Sequence, residues 1–249
     1  MDRHYFSSAK PRLFAHRGLA EPLMLDENTI PAFQAALNYG ATHLESDTQA
    51  TKDGHAVLLH DADLNRVAGI DAAVSELNLH ELQAIKLQNG GQIPTLLETL
   101  NHFPTAFFNL DIKTKTAIGP TIEAIEATQA HNRVLVSSFS NPTRKSALQK
   151  FSKPVATSAS ASVALAAWAS HTLLFGFGFQ RIVAKVDALQ VPVQLGVVKF
   201  SNRSFIGRLQ RHNTEIHFWT INDPEQMQLL LSLGADGIVT DRVDLFQSG

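Results

Sequence analysis

Apolar segments with the spacing of β-strands alternate with helical segments along this whole chain, and the alternation limits the folds that it can adopt. About eight strand candidates run from residues 12–15 to residues 237–239, with no linker or change of composition between them. Such alternation predicts a parallel sheet with helices outside it. Eight units in 249 residues predict an α/β fold of the TIM (β/α)8 barrel type, with residues 1–249 as a single domain.

An open, doubly wound sheet is the alternative fold, and the sequence weakens it. No Gly-x-Gly-x-x-Gly motif follows the first predicted strand, as dinucleotide-binding sheets of that kind require. The glycine pair Gly176 and Gly178 lies in an apolar segment that is too short to replace the motif. The closed barrel is therefore the prediction.

Charge and composition exclude several classes of partner and site. The 21 Lys and Arg residues against 23 Asp and Glu residues leave a net charge of -2, and no run of basic residues forms a local patch, so we expect no nucleic-acid partner. The absence of cysteine excludes disulfides, thiolate nucleophiles and Cys-ligated zinc. The residues after Met1 lack the apolar core of a signal peptide, and no window approaches the roughly 20 apolar residues of a membrane span. We expect a cytoplasmic protein with no stable membrane insertion.

Two carboxylates lie two residues apart at the end of a predicted strand. Because side chains two apart in a strand share a face, Glu45 and Asp47 point the same way. Their mutual repulsion is relieved by a divalent cation that prefers oxygen ligands, Mg²⁺ or Ca²⁺. Asp111 ends the next apolar strand, and a parallel barrel brings the carboxyl ends of its strands to one rim. The pattern predicts one cation held by Glu45, Asp47 and Asp111, with independent, solvated surface acids as the alternative.

Two histidines, His16 and His60, end apolar runs and precede charged residues, unlike most of the 11 histidines. Two imidazoles beside a metal-bound anion can serve as general acid and general base near neutral pH. Arg17 adds a fixed cation whose geometry suits phosphate. Lys113 can meet an anionic oxygen, or it can simply pair with Asp111. Together these residues indicate phosphoryl transfer or phosphodiester cleavage.

Short motifs follow one another in a fixed order over nearly the whole chain. They are His16-Arg17-Gly18, Glu27-Asn28-Thr29, Glu45-x-Asp47, Thr51-x-Asp53-Gly54, His60-Asp61-x-x-Leu64-x-Arg66, Asn109-x-Asp111-x-Lys113, Trp219-Thr220-x-Asn222 and Gly234-Ala235-Asp236-Gly237-Ile238-x-Thr240-Asp241. Any one motif is weak, whereas the ordered set is highly specific. In this order the sequence closely resembles the glycerophosphodiester phosphodiesterase family.

The resemblance implies a (β/α)8 barrel with its site at the carboxyl ends of the strands. It implies metal-dependent hydrolysis of glycerophosphodiesters to sn-glycerol 3-phosphate and an alcohol. The roles implied at matching positions are His16 and His60 as the acid–base pair, Glu45, Asp47 and Asp111 as metal ligands, Arg17 and Lys113 as phosphate contacts, Trp219 as a wall of the glycerol or leaving-group side, and Glu27 as a residue that orients Arg17. Two of these residues have a structural alternative. Trp219 can be a plain core residue, and Glu27 can be an acid that the dipole at a helix N-terminus favours.

The segment between His60 and Asp111 is modest, so we expect a small cap or insertion after the second strand. Within it, Ser75 can cap a helix that carries Leu77, Leu79, Leu82 and Ile85. Residues 173–179 are strongly apolar and fall near the predicted rim, where they could accept an acyl chain or pack as core. A lysophospholipase D-type phosphodiesterase for acylated substrates is therefore an alternative activity. From a different class, a non-catalytic phosphoglycerol-binding barrel is a further alternative. The sequence predicts neither the preferred alcohol nor the oligomeric state.

Overall fold

The structure, a computed structural model, describes residues 4–246, and within that range it contains thirteen strands. In chain order they are β1 (Arg12–His16), β2 (His43–Ala50), β3 (Ala56–Leu58), β4 (Asp63–Leu64), β5 (Ile70–Ala73), β6 (Phe107–Ile112), β7 (Val134–Ser137), β8 (Ala156–Thr157), β9 (Ala188–Val191), β10 (Gln194–Leu195), β11 (Val198–Lys199), β12 (Glu215–Phe218) and β13 (Gly237–Thr240). The strands β10 and β11 form a separate antiparallel hairpin.

Eight of these strands form a nearly closed parallel barrel, which confirms the predicted fold class. Their order is β8, β7, β6, β2, β1, β13, β12 and β9. The two outer strands approach each other through a parallel bridge between Ser158 and Ala188. Because all eight strands run in one direction, their carboxyl ends meet at one rim of the barrel.

Ten α-helices accompany the strands in the described part of the chain, and local capping signals set several of their boundaries. The hydroxyl of Thr29 accepts a hydrogen bond from the Ala32 amide, and Pro31 sits in the first turn, where its missing N–H costs nothing. None of these helices is long and apolar enough to cross a membrane. They are α1 (Ile30–Asn38), α2 (Asn65–Ala68), α3 (Leu79–Ala84), α4 (Leu96–His102), α5 (Ile118–Ala127), α6 (Asn141–Leu148), α7 (Ala161–Leu173), α8 (Phe179–Val183), α9 (Arg203–Arg211) and α10 (Pro224–Ser232).

Alternate residues of the barrel strands face the helices and the barrel axis. Leu13 and Ala15 of β1 belong to the apolar layer that α1 and its neighbours cover. Phe14, between them, turns inward and contacts the rings of His43 and His217 at centroid distances of 4.7 and 4.6 Å. The strand period of two therefore places His16 on this inner face as well, directly above an apolar and aromatic floor.

A small insertion follows β2, as the sequence predicts. In it β3 pairs antiparallel with β2, β4 pairs with β5, and the segment has an apolar cluster of its own. The structure differs in detail, because Ser75 lies in a single 3₁₀ turn and does not begin the next helix. That helix, α3, begins at Leu79, since the Asn78 amide donates to the Glu81 carboxylate at 2.8 Å.

The apolar segment 173–179 does not lie at the rim that holds the predicted site. Helix α7 begins with Ala161, which borders the cavity at the carboxyl ends of the strands, and runs back along the barrel for thirteen residues, about 20 Å. The segment is therefore at the opposite rim. It is not simply core either, because Phe179 is buried while Phe175 and Phe177 are almost fully exposed.

Candidate active site

A cavity of about 220 Å³ opens at the carboxyl ends of the barrel strands. Glu27 lies outside its lining and reaches it through Arg17, whose Nη1 is 3.2 Å from Oε1 of Glu27. The structure thus brings every other site residue expected from the sequence to one place. The predicted residues in the lining are His16, Arg17, Glu45, Asp47, His60, Asp111, Lys113 and Trp219.

Three buried carboxylates lie on two neighbouring strands of this rim. Asp47 of β2 pairs in register with Asp111 of β6, and Glu45 lies two residues before Asp47. The alternative of solvated surface acids is wrong, because each of the three is less than 10% exposed. Burial and the nearby charge of Asp47 raise the pKa of Glu45 to about 8, and burial also raises the pKa of Asp111. The negative charges of the three carboxylates therefore repel one another, and the site disfavours full ionisation of the cluster.

Two cationic side chains partly offset that charge. The Nζ atom of Lys113 lies 2.7 Å from Oδ1 of Asp47 and 3.0 Å from Oδ2 of Asp111. The Nε atom of Arg17 is 3.5 Å from Oδ2 of Asp47, and neither of these buried atoms has a hydrogen-bond partner within residues 4–246. Lys113 thus pairs with Asp111 but is not restricted to it. Buried polar atoms without a hydrogen-bond partner do not stabilise the fold, but they can bind a ligand.

Arg17 reaches the cavity through a tight turn that follows β1. Arg17 and Gly18 both have positive φ angles, 59° and 88°. A Cβ atom on Gly18 would lie 2.7 Å from the backbone of Ala32 in α1, so only glycine fits there. The Arg17 amide donates to the backbone carbonyl of Glu45 at 3.0 Å, which ties this turn to β2.

The donor chemistry of the carboxylate cluster fits a hard divalent cation. All three side chains offer oxygen, and Oδ2 of Asp47 and Oδ1 of Asn109 are buried acceptors that find no hydrogen-bond partner in the described part of the chain. As the side chains stand, no group of three or more His, Asp or Glu residues within 4–246 has the arrangement of a metal site. The ammonium of Lys113 lies between two of the carboxylates. Metal ligation by these residues stays a prediction.

His16 is held by an aspartate that comes from the adjacent strand end. Its Nδ1 atom is 2.6 Å from Oδ1 of Asp241, while its Nε2 atom is 4.0 Å from Oε2 of Glu45. The amide of Asn222 donates to the second Asp241 oxygen at 2.8 Å. Burial lowers the pKa of His16, but the hydrogen bond to Asp241 and the charge of Glu45 outweigh it, so the net shift is upward.

His60 is held in a similar way, and its aspartate belongs to a larger ionic network. The Nδ1 atom of His60 is 2.7 Å from Oδ1 of Asp61, whose other oxygen is 2.6 Å from Nε of Arg66. Arg66 also contacts both oxygens of Glu27, at 2.6 and 3.0 Å. Since Glu27 in turn contacts Arg17, the network joins the His60 segment to the turn that follows β1.

Aromatic side chains form one side of the cavity. Trp219 packs against the inner apolar cluster, and its ring lies edge-on to Phe139 at a centroid distance of 6.0 Å. The Nζ atom of Lys113 lies 5.6 Å from the centroid of the Phe139 ring. Trp219 is thus both a core contact and a wall of the cavity. Phe139 is 61% exposed, and nothing in its sequence context marked it for this position.

Sequence reasoning missed the partners that orient the predicted residues. Asp241, Asp61 and Arg66 stand in the motifs quoted above but carried no expected role. Asp241 directly follows a short apolar strand, and nearness to a predicted strand end drew attention to Asp47 and Asp111, so the same positional signal could have found Asp241. For Arg66 no such signal exists, since its importance depends on contacts with Glu27, 39 residues away in sequence.

Comparisons with known proteins agree with the fold and show the family. A model of the glycerophosphoryl diester phosphodiesterase family matches residues 16–245. A Mycobacterium tuberculosis protein named probable glycerophosphodiester phosphodiesterase 2 is 38% identical over 94% of this chain and 88% of its own length. The human protein named lysophospholipase D GDPD1 is 24% identical, over 91% of this chain and 82% of its own.

A solved structure supports the same fold. It is an Oleispira antarctica phosphodiesterase in complex with the product sn-glycerol-3-phosphate. The two folds match with a TM-score of 0.76 at 20% identity, over 94% of each chain. At that identity the likeness concerns the fold alone.

Proposed function

The chain belongs to the glycerophosphoryl diester phosphodiesterase family, and from that premise we propose that it hydrolyses glycerophosphodiesters to sn-glycerol 3-phosphate and an alcohol. Family membership makes it a phosphodiesterase. One observation carries the choice of reaction: two histidines, two cationic side chains and three buried carboxylates line the same cavity. That combination supplies proton transfer, phosphate binding and oxygen ligands for a cation within one small volume.

The two histidines transfer the protons of the reaction, one as general base and the other as general acid. Hydrolysis forms one P–O bond to the attacking oxygen and breaks the P–O bond to the leaving alcohol. One imidazole takes a proton from the attacking water, and the other donates a proton to the oxygen of the leaving alcohol. His16 and His60 each turn Nδ1 toward an aspartate, which leaves Nε2 of each ring for these transfers.

Arg17 and Lys113 bind the phosphate oxygens. Arg17 offers a guanidinium whose Nε has no hydrogen-bond partner among the described residues, and Glu27 steadies its far end. Lys113 supplies a mobile point charge that now bridges two carboxylates. Trp219 and Phe139 border the site as a wall for the glycerol or the leaving alcohol.

Glu45, Asp47 and Asp111 would hold one divalent cation, Mg²⁺ or Ca²⁺. Support comes from the excess of buried carboxylates over basic groups and from the raised pKa values of Glu45 and Asp111. When bound, such a cation supplies positive charge that stabilises the anionic transition state. The carboxylates themselves would hold the cation on the same side of the cavity as Arg17 and Lys113.

The test is a substrate panel with the purified protein. Glycerophosphocholine, glycerophosphoethanolamine and glycerophosphoglycerol are incubated with Mg²⁺, Ca²⁺ or a chelator, and released sn-glycerol 3-phosphate is measured. We expect turnover with a cation and loss of it with the chelator. His16→Ala should abolish turnover and keep the native circular dichroism, while His80→Ala, at an exposed position on α3, should behave as wild type. No release from any diester, or an active His16→Ala variant, would contradict the proposal.

Lysophospholipase D activity is a second candidate, favoured by the name of the human relative. The apolar segment 173–179, the one candidate for an acyl-chain site in the sequence, does not line the cavity, which removes the structural argument for an acyl site. Comparing turnover of glycerophosphocholine and lysophosphatidylcholine separates the two activities. We expect the unacylated diester to be the better substrate, and faster cleavage of the acylated one would favour the second candidate.

A further inference from the structure

Residues 173–177 form an exposed apolar turn at the barrel rim opposite the candidate active site. Phe175 and Phe177 are 92% and 83% exposed, and Leu173 and Leu174 are also largely exposed. Single exposed apolar residues are common on protein surfaces, but four large ones within five positions are not. A contiguous patch of this kind is typical of a surface that contacts another molecule or a membrane.

The turn is held in this conformation by its own hydrogen bonds. The Gly176 amide donates to the Ser170 carbonyl at 2.7 Å, and the Ser170 hydroxyl donates to the Phe177 carbonyl at 2.7 Å. Gly176 has a φ of 93°, and a Cβ atom there would lie 1.3 Å from Nη1 of Arg208. The chain therefore passes directly over Arg208, and the phenylalanines point outward from a fixed backbone.

Basic side chains lie beside this apolar turn, in a neighbouring groove. This groove, about 590 Å³ in volume, is lined by Arg181, Arg208, Arg211 and His212, and none of the described residues in its lining is acidic. Arg181 and Arg211 are exposed, while Arg208 lies 5.7 Å from the centroid of the Phe179 ring. The arginines come from α8 and α9, so no run of basic residues appears in the sequence.

We propose that this face, made of residues 173–177 with Arg181, Arg208 and Arg211, docks on an anionic phospholipid bilayer. Aromatic and leucine side chains enter the boundary between headgroups and acyl chains, and arginines beside them contact lipid phosphates. A second copy of the chain fits less well, because a two-fold contact would oppose arginines of one copy to those of the other. The charge of the whole chain, -2, means that the attraction is local to this face.

The geometry leaves the candidate active site free in the docked state. The docking face and the cavity lie at opposite ends of α7, so the cavity opens toward the solution. Binding to vesicles should therefore leave turnover of a water-soluble diester unchanged. The docking proposal is also independent of the reaction, because none of its residues lines the cavity.

Sedimentation with vesicles tests this directly on the full chain. Vesicles of phosphatidylcholine with phosphatidylglycerol are compared with vesicles of phosphatidylcholine alone. We expect binding to the anionic vesicles that weakens as salt is added, and little binding to the neutral ones. Arg181→Gln should lower the partition coefficient about fivefold, as should Arg211→Gln. Phe175→Ser with Phe177→Ser should lower it about tenfold or more.

Matched control variants test whether the loss of vesicle binding is specific to substitutions in this face. Arg203→Gln, at the other end of α9, and Val197→Ser, in the hairpin of β10 and β11, should bind as wild type. Equal binding to both kinds of vesicle, or unchanged binding of the arginine and phenylalanine variants, would overturn the proposal. So would a wild-type dimer in sedimentation velocity that Phe175→Ser with Phe177→Ser converts to a monomer, because the face would then join two copies.

Discussion

The Nδ1 atom of His16 lies 2.6 Å from Oδ1 of Asp241, across the carboxyl ends of the adjacent strands β1 and β13. This contact fixes the plane of the imidazole and the nitrogen that faces the aspartate. It also favours the protonated ring, since the pKa of His16 is raised in spite of its burial. Asp241 is therefore a positioning residue for the proposed acid–base pair.

Asp241→Asn should lower kcat about 10²-fold to 10³-fold, because a misoriented histidine loses most of its value as an acid or base. The variant removes a group that raises the pKa of His16, so the limb of the pH–rate profile that His16 controls should move to lower pH. Kinetics across pH on glycerophosphocholine measure both effects. Asp244→Asn, whose carboxylate pairs with Arg242, serves as the control, and an unchanged Asp241→Asn profile would contradict the role.

Arg66 should matter for catalysis although it lies outside the cavity lining. Arg66→Met breaks its contacts with Asp61 and Glu27 and so loosens both His60 and Arg17. By analogy with supporting residues of other sites, we expect kcat to fall about 10-fold to 100-fold. Arg66→Lys should recover part of the loss because it restores the charge but not the paired geometry.

The control for Arg66 is Arg203→Met, which removes an arginine of α9 that donates to the backbone carbonyl of Ser232 on α10. It should leave kcat unchanged. If Arg66→Met lowered only the free energy of unfolding and left kcat and the pH profile intact, the network would be structural rather than catalytic in effect.

Cation affinity should rise with pH up to about pH 8. The pKa of Glu45 is raised to about 8 in the metal-free site, so below that pH a cation must displace its proton. For one displaced proton, the affinity changes about tenfold per pH unit below pH 8 and levels off above it. Isothermal titration calorimetry with Mg²⁺ and Ca²⁺ in several buffers measures the affinity and the released proton.

Glu45→Gln provides the matched variant for this titration. It removes a buried acid whose charged form is disfavoured in the absence of metal, since burial and the charge of Asp47 raise its pKa, so the Tm of the metal-free protein should not fall. The rise in Tm on adding cation should shrink or vanish. A Glu45→Gln protein that binds cations as wild type does would remove Glu45 from the ligand set.

Acid should destabilise the fold partly through His43, which is buried inside the barrel against Phe14 and Phe107. Burial lowers its pKa from 6.5 to about 3. Between these values the unfolded chain binds a proton that the native state excludes, so the free energy of unfolding falls as pH decreases, by up to about 1.4 kcal/mol per pH unit. Urea unfolding of wild type and His43→Asn at several pH values measures the difference.

The variant will be less stable overall, so the decisive quantity is the slope with pH. We expect a shallower slope between about pH 6 and pH 4 in His43→Asn than in wild type. His80→Asn, an exposed histidine, should retain the wild-type slope. Parallel curves for wild type and His43→Asn would show that His43 does not titrate with unfolding.

Local sequence patterns predicted much of the barrel and of the cavity lining. The period of two along a strand placed Glu45 and Asp47 on one face, and strand ends marked His16 and Asp111. These signals work because a strand's geometry depends on residues close in sequence. Where a competing local contact decides the outcome, as when Glu81 accepts from the Asn78 amide and starts α3, the prediction of a helix from Ser75 was wrong.

The sequence by itself determined the alternation of strands and helices, the inward-facing polar residues and the family. Only the tertiary structure decided which distant residues complete the active site and the docking face. Asp241 meets His16 across 225 positions, and Arg181 and Arg208 meet at one rim from separate helices. The physical reason is that side-chain spacing within a strand or helix is local, whereas these contacts exist only once the barrel has nearly closed and its two rims are formed.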